Sequence, residues 1–504
     1  MSESDVATVT VSVFYGPVIN PKDLNTYEIL PQALIAVDPN GTIIWTERDV
    51  KPGNLQDYIK ERLPEVPAPD GYEISVSLIE LDDGEFIIPG FVDTHTHAPQ
   101  MPNIGSGQQY ELLDWLEHVT FPMEARFKDI DFAKKIYPEV VRRFINFGTT
   151  TCCYYGTLHL EATKVLADVV TSLGQRALVG KCNMNRNSPE YYCEASTEKS
   201  LEDTRKLISY IRSLKTGLVS PVLTPRFAIS CTGDLLEGIG KIAEQDKTLA
   251  IQTHISENAG EIKFTKELFP DCDTYASVYA KYGLLRERTI LAHGVHLEES
   301  ELKMIKELGA GISHCPTSNF NLRSGMAKVG DMLDRGIKVG LGTDVSGGFS
   351  PSMLNAIQNA SICSKMIALQ SAIEPTNLSF SKSNFSGKQL SIATLLYLAT
   401  LGGASLCCME DKIGSFAVRK SFDALIVSVR AETENPSIWS ATDGDTKNCQ
   451  GHDIEKRLDA QLERFLFGGD DRNILKVYVQ GKCIGGKAYK PKIDLQTVVT
   501  SSTN

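Results

Sequence analysis

The residues best suited to chemistry in this chain are histidines and acids that close short apolar runs. In Pro89-Gly90-Phe91-Val92-Asp93-Thr94-His95-Thr96-His97 an apolar segment ends in His-x-His. Side chains at i and i+2 of a strand share a face, so both imidazoles can meet one metal ion. The pair alone is a weak signal, because most histidines are surface groups or satisfied polar residues of a core. Three later runs end alike: Ala250-Ile251-Gln252-Thr253-His254, Ile290-Leu291-Ala292-His293 and Val339-Gly340-Leu341-Gly342-Thr343-Asp344. If these are strand ends of one barrel, all of these groups stand on one rim and converge as a metal site. Nitrogen and carboxylate ligands without thiolate suit Zn²⁺ in an open catalytic site, where bound water has its pKa lowered to about 7. Iron is compatible with the same ligand types. A different zinc-site pattern, H-x-E with P-C-x-x-C, is absent, since Cys315-Pro316 runs in the wrong order with no second cysteine.

Glu257 follows His254 by three residues and could overhang the metal to move a proton. The competing reading makes it an acid at the N-terminus of a helix over Ala259–Leu268, favoured there by the helix dipole. His118, His159, His296, His314 and His452 are expected to be structural or surface groups. Among them His314, ending Ile312-Ser313-His314-Cys315-Pro316, comes nearest to the pocket rim. Cys315 is read as a buried thiol rather than a nucleophile, because nothing in its surroundings activates it.

Positioning such a rim requires short apolar strands alternating with helices. Candidate strands fall near 87–93, 149–154, 177–182, 221–225, 249–254, 289–293, 311–314 and 338–342, with amphipathic stretches at Asp131–Phe147, Leu201–Leu214, Leu235–Glu244 and Ser300–Leu308. Eight strands with intervening helices predict a (β/α)8 barrel over 86–410, with its active site at the C-terminal strand ends. Residues 1–85 read as β: Val9–Phe14 alternates, Leu34–Trp45 holds two runs around the turn Asp38-Pro39-Asn40-Gly41, a loop is expected over 51–72, and Ile74–Leu81 resumes the strand pattern. Leu390–Met409 reads as a helix. Ser421–Val429 and Ile474–Gly485 return to β within 411–494, so a small β-sandwich is expected from the N- and C-terminal segments. Within it, 431–454 is expected to be a surface excursion and 495–504 a disordered tail.

Composition narrows the classes of function. With 504 residues, 42% of them hydrophobic, the chain can bury a large core. A net charge of -12 and the lack of any basic stripe argue against nucleic acid or an anionic membrane as partner. No basic-then-apolar leader opens the sequence, and its 12 cysteines show no CxxC, which fits reduced thiols in a cytoplasmic protein.

The set His95-x-His97, His254-x-x-Glu257, His293 and Thr343-Asp344 resembles the amidohydrolase superfamily in its single-metal deaminase branch. Phe91-Val92-Asp93-Thr94-His95-Thr96-His97-Ala98-Pro99-Gln100, Leu113-Asp114-Trp115-Leu116, Thr120-Phe121-Pro122-Met123-Glu124, Thr224-Pro225-Arg226-Phe227, His254-Ile255-Ser256-Glu257-Asn258 and Gly340-Leu341-Gly342-Thr343-Asp344-Val345 are similar to the guanine deaminase family. The similarity runs in order from about Phe86 to Ala404, and Gly468–Ile474 resembles a C-terminal segment of fungal members. Pro99 departs from the serine that many relatives carry. The resemblance implies hydrolytic deamination of guanine to xanthine and ammonia, with one Zn²⁺ per chain and a homodimer. It implies that His95, His97, His254 and Asp344 ligate the metal, Glu257 shuttles protons and His293 contacts the nucleophile or substrate. Gln100, Arg226 and Phe227 match purine-binding positions, where Arg offers a donor fork, Gln a donor and an acceptor, and Phe a ring face. On this reading substrate is the natural partner of Arg226. The rival readings are a related deaminase or chlorohydrolase acting on another heterocycle, and a scaffold without catalysis, which the complete ligand set disfavours.

Overall fold

The computed structural model describes residues 8–66, 72–373, 383–438 and 452–490. The expected tail 495–504 and the middle of the expected excursion, 439–451, lie outside them. Five strands open the chain: β1 (Thr8–Pro21), β2 (Tyr27–Val37), β3 (Ile43–Glu47), β4 (Glu73–Glu80) and β5 (Glu85–Pro89). The barrel follows with β6 (Phe91–His97), β7 (Thr149–Tyr155), β8 (Arg176–Gly180), the two-residue β9 (Cys182–Asn183), β10 (Val219–Pro225), β11 (Ala250–Ile255), β12 (Thr289–His293), β13 (Gly311–His314) and β14 (Lys338–Leu341). Last come β15 (Ala424–Ser428), β16 (Ile474–Val479) and β17 (Lys482–Gly485).

The barrel strands pair in parallel in the order β14-β13-β12-β11-β10-β8-β7-β6, with β9 beside β10. The segment after β14 brings the ring back to β6: Asp344 N–H donates to His95 O at 2.9 Å and His97 N–H to Val345 O at 3.1 Å. Inward side chains at the N-terminal ends, among them Val92, Cys153, Leu178, Val222 and Ile290, form one apolar cluster with the helix Leu401–Leu406. Gly340 and Gly403 make this contact possible, because a Cβ at Gly340 would lie 3.0 Å from Gly403 Cα. One mouth of the barrel is thus plugged by hydrocarbon, and polar groups are left for the other.

The terminal strands form a separate mixed sheet, ordered β17-β16-β15-β5-β1-β2-β3 with β4 on β1. The predicted hairpin is present: β2 and β3 pair across a turn in which Asp38 accepts from Thr42 N–H at 2.8 Å. A buried ion pair, Arg176 Nε to Asp423 Oδ2 at 2.9 Å, ties the start of β8 to the residue before β15.

Several boundaries differ from the sequence reading. The run 87–93 is not one strand: β5 pairs with β15 in the mixed sheet, the chain turns at Gly90, and β6 begins the barrel. A Cβ at Gly90 would lie 2.2 Å from the Thr150 side chain, so the turn needs glycine. The expected loop 51–72 contains a helix at Leu55–Arg62 that buries Leu55 and Ile59 against the sheet; short helices with two apolar positions carry little periodic signal. Leu390–Met409 is two helices, Ile392–Ala399 and Leu401–Leu406, broken at Thr400. Ile474–Gly485 is the β16–β17 hairpin, with left-handed Gln480 and Gly481 at the turn.

Candidate active site

His95 and His97 project from β6, His254 from β11, and Asp344 from the turn after β14. Their potential ligand atoms all lie within 4.8 Å of one another; His95, His97 and Asp344 are buried and His254 is partly buried. His293 and Asp344 themselves, and Ser256 just before Glu257, take left-handed φ of 75°, 45° and 47°. Such φ at non-glycine residues is costly and collects where geometry must be held for function.

Hydrogen bonds fix which nitrogens face the centre. His254 Nδ1 lies 2.6 Å from Arg226 O, a carbonyl that can only accept, so Nδ1 carries the proton and Nε2 presents a lone pair. That Nε2 stands 3.2 Å from His97 Nε2. His95 Nε2 is 3.1 Å from Asp344 Oδ1, and neither ring nitrogen of His95 has a hydrogen-bond partner in the protein. Lone pairs this close, buried and unpaired, are what a cation relieves, and the residues present fit an N/O-ligated metal. Burial, then the neighbouring His95, pushes His97 and His254 well below the usual histidine range. For Asp344 burial acts upward, but the imidazoles of His95, His293 and His97 outweigh it and hold the carboxylate down.

Beneath this set, buried Asp93 accepts from Thr343 N–H at 3.0 Å, Thr343 Oγ1 at 2.5 Å and His95 N–H at 3.2 Å, and so fastens the Asp344 turn to β6. Its carboxyl is pushed up to about 7 by burial. His293 donates from Nδ1 to Asn319 Oδ1 at 2.9 Å, leaving Nε2 3.4 Å from Glu257 Oε2 and 3.7 Å from Asp344 Oδ2. Asp93 and Asn319 were missed by sequence reasoning. An acid inside an apolar strand was a signal for the first, whereas Asn319, 26 positions from its partner, offered none.

Glu257 does not cap a helix. The helix Ala259–Leu268 is capped reciprocally by Asn258 and Glu261, and Glu261 takes the Glu257 N–H at 2.8 Å. The Glu257 side chain is buried, accepts from Ser324 Oγ at 3.3 Å, and is pushed well above the usual carboxylate range by burial and by Asp344.

Above the metal-competent set lies a pocket walled by His97, Gln100, Arg226, Phe227, His254, Glu257 and Asp344, with Leu112, Trp115, Leu116 and Leu322 completing it. Every residue expected to act falls in this cavity or directly against it, His95 and His293 through their contacts with Asp344. One expectation is corrected. Arg226 already has a protein partner: Nη1 donates to Glu124 Oε2 at 2.7 Å, and both residues are buried. Burial works against the Arg226 charge, but Glu124 more than offsets it and holds the guanidinium charged.

His314 is buried but faces a different cavity, with Lys328, Cys363 and Leu390, and burial pushes it down to about 3. His296 is held by Ser324 O at 2.7 Å and His118 packs against Tyr110. The Cys315 thiol lies within ligand distance of His95 and His293, yet burial drives it well above the usual thiol range, consistent with an unreactive group.

The sequence profile of the amidohydrolase family matches residues 86–484. The chain belongs to the amidohydrolase family. Among relatives within it, the Schizosaccharomyces pombe protein named "Probable guanine deaminase" is 42% identical over 98% of this chain and 87% of its own length. The guanine deaminase of Dictyostelium discoideum is 39% identical over 95% of this chain and 99% of its own. The C. acetobutylicum guanine deaminase crystal structure, with guanine bound in its active site, superposes with a TM-score of 0.79 at 33% identity, covering 94% of this chain and 99% of that one. In this member the metal-competent residues His95, His97, His254 and Asp344 stand at the C-terminal ends of barrel strands.

Proposed function

We propose that this amidohydrolase is a zinc-dependent guanine deaminase, releasing xanthine and ammonia, that works as a homodimer in the cytoplasm. The observation that carries the reading is the cavity itself: His95, His97, His254 and Asp344 converge at one end beside Glu257, and Arg226 and Gln100 present donors on the wall. Its curated relatives over nearly the whole chain act on guanine by name.

His95, His97, His254 and Asp344 would hold the zinc ion, which would supply acidification of a water beside the ring carbon bearing the exocyclic amine. The residues do the rest. Ionised Asp344 takes up a proton from the attacking water at its carboxylate. Glu257, whose protonated form is favoured by burial and by the charge of Asp344, donates its proton to the ring nitrogen beside that carbon. Return of a proton to the amine lets it leave as ammonia, so that guanine and water give xanthine and ammonia. Phe227 and Trp115 offer ring faces to a flat substrate, and the apolar walls exclude water and strengthen each charge interaction.

Three observations bear on the assembly and compartment. On the helix Met353–Ile373, the residues Ile362, Met366, Leu369 and Ile373 form an apolar stripe, each more than 40% exposed, that a second subunit would cover. Every cysteine among the described residues is unpaired, as in a reducing compartment. No helix among the described residues is long and apolar enough to cross a membrane. The deciding experiment is ammonia release from guanine with and without chelator; no ammonia from metal-replete protein overturns the proposal.

A further inference from the structure

We infer that Glu124 is a positioning residue that sets purine specificity, by fixing two side chains of the cavity as hydrogen-bond donors. The inference rests on the guanine deaminase reading. Glu124 sits on the short helix Phe121–Ala125, outside the cavity lining, and is 0% exposed. Both of its oxygens are in use: Oε1 accepts from Gln100 Nε2 at 2.8 Å, and Oε2 accepts from Arg226 Nη1 at 2.7 Å and from Tyr192 OH at 2.6 Å.

The consequence for Gln100 is a fixed sense of its amide. Its Oε1 accepts from Ser346 N–H at 3.0 Å while its Nε2 gives one hydrogen to Glu124. A flipped amide would set carbonyl against carboxylate and NH₂ against N–H, so the second N–H remains for the cavity that Gln100 lines. Arg226, with five N–H donors and no acceptor, spends one on Glu124 and keeps others for the same cavity. The pair carries no net charge, so this wall favours a neutral carbonyl compound over a carboxylate or phosphate. Guanine presents O6 and N7 as two adjacent acceptors, whereas adenine presents N7 as acceptor and its 6-amino group as donor. A wall of donors held by Glu124 matches the first edge and mismatches the second.

The test uses hypoxanthine and adenine, which carry these two edges without the 2-amino group, as competitive inhibitors of guanine deamination. Wild-type enzyme should bind hypoxanthine at least about tenfold more tightly than adenine, the size expected for a charge-assisted hydrogen bond. In Glu124→Gln the new amide can turn its NH₂ toward Gln100, which removes the carbonyl-against-carboxylate penalty of a flipped Gln100 and leaves Ser346 N–H alone to hold its sense, so that adenine can be offered an acceptor more readily. The preference should fall about tenfold, mostly by loss of hypoxanthine affinity, while metal content stays unchanged. Equal losses on both inhibitors, an intact preference in folded Glu124→Gln, or no preference in the wild type would each overturn the inference. Should Glu124→Gln not fold, Tyr192→Phe removes one donor from the same carboxylate oxygen without unpairing a charge. It should lower the same ratio about threefold, and an unchanged ratio there overturns the inference. Wild-type enzyme inactive on guanine would instead overturn the function, and this inference with it.

Discussion

At the floor of the cavity, ring nitrogens of His95, His97 and His293 stand buried without hydrogen-bond partners in the protein, whereas on the wall both oxygens of Glu124 are taken. The floor's nitrogens therefore suit a cation, while Glu124 on the wall is satisfied by protein donors alone. Buried polar atoms left unpaired cost free energy, so the first arrangement is justified only by what it binds. The second spends its polar groups on rigidity, so that the donors left over point one way. Variants at the two ends should accordingly fail differently.

The largest effect belongs to the floor. Wild-type protein should hold close to one zinc per chain, and His95→Ala or His254→Ala should lose both the metal and turnover to background. Metal analysis of purified protein decides it; full occupancy in both variants would remove the metal assignment. Next, Glu257→Gln should keep zinc and still bind a guanine analogue, with kcat lowered by about 10²–10⁴-fold through loss of proton transfer. Near-normal kcat would reduce Glu257 to a space-filling residue.

At the wall, Arg226→Met should spare the metal but lower kcat/KM for guanine by about 10²-fold, with a smaller loss on 2-aminopurine, which lacks the carbonyl. The single variant also strands the Glu124 carboxylate in a dry site, which costs about 3–5 kcal/mol of stability. Arg226→Met combined with Glu124→Gln should regain stability in thermal unfolding without regaining guanine use. A double variant no more stable than the single one would show that the two residues are not a pair in solution.

The floor was legible in the sequence because its residues end strands, where period-two alternation and apolar runs announce the geometry: His95, His97, His254 and Asp344 needed only the barrel to meet. Glu257 was visible as a residue but not as a role. Its position before Ala259–Leu268 fits a helix acid, and only the cap formed by Asn258 and Glu261 releases it for the cavity. The wall was half legible. Arg226 and Gln100 stand in motifs, but the protein partner of buried Arg226 is hidden in the sequence, because Glu124 lies 102 positions away in a segment with no strand or helix period to reveal where its side chain points. The run 87–93 misled for a related reason: continuous apolar sequence does not show that its halves serve different sheets.

His314 sharpens the contrast between floor and wall, being a buried histidine with neither ring nitrogen paired in the protein that nevertheless stands outside the cavity. If unpaired nitrogens at the floor reflect a metal, then removing this outlying imidazole should change neither metal content nor turnover at neutral pH. It should change the response to acid. Burial, and secondarily His293, lowers His314 from the ordinary 6.5 to about 3 in the folded protein. Above 6.5 both folded and unfolded chains carry it neutral, and it contributes no pH dependence. As pH falls from 6.5 toward 3 the unfolded chain binds a proton that the folded chain refuses, so stability drops through that window. His314→Phe keeps a ring of similar shape and removes the titration. Thermal unfolding followed from pH 7.5 to 4 should therefore show a shallower acid limb for the variant and coincident behaviour at the neutral end. The limb should not vanish, because half-buried His159, pushed down to about 4 by burial and by Lys128, titrates in the same range. Parallel curves for the two proteins would mean that His314 is not held neutral by its site. Loss of metal in His314→Phe would erase the distinction between this histidine and those of the floor.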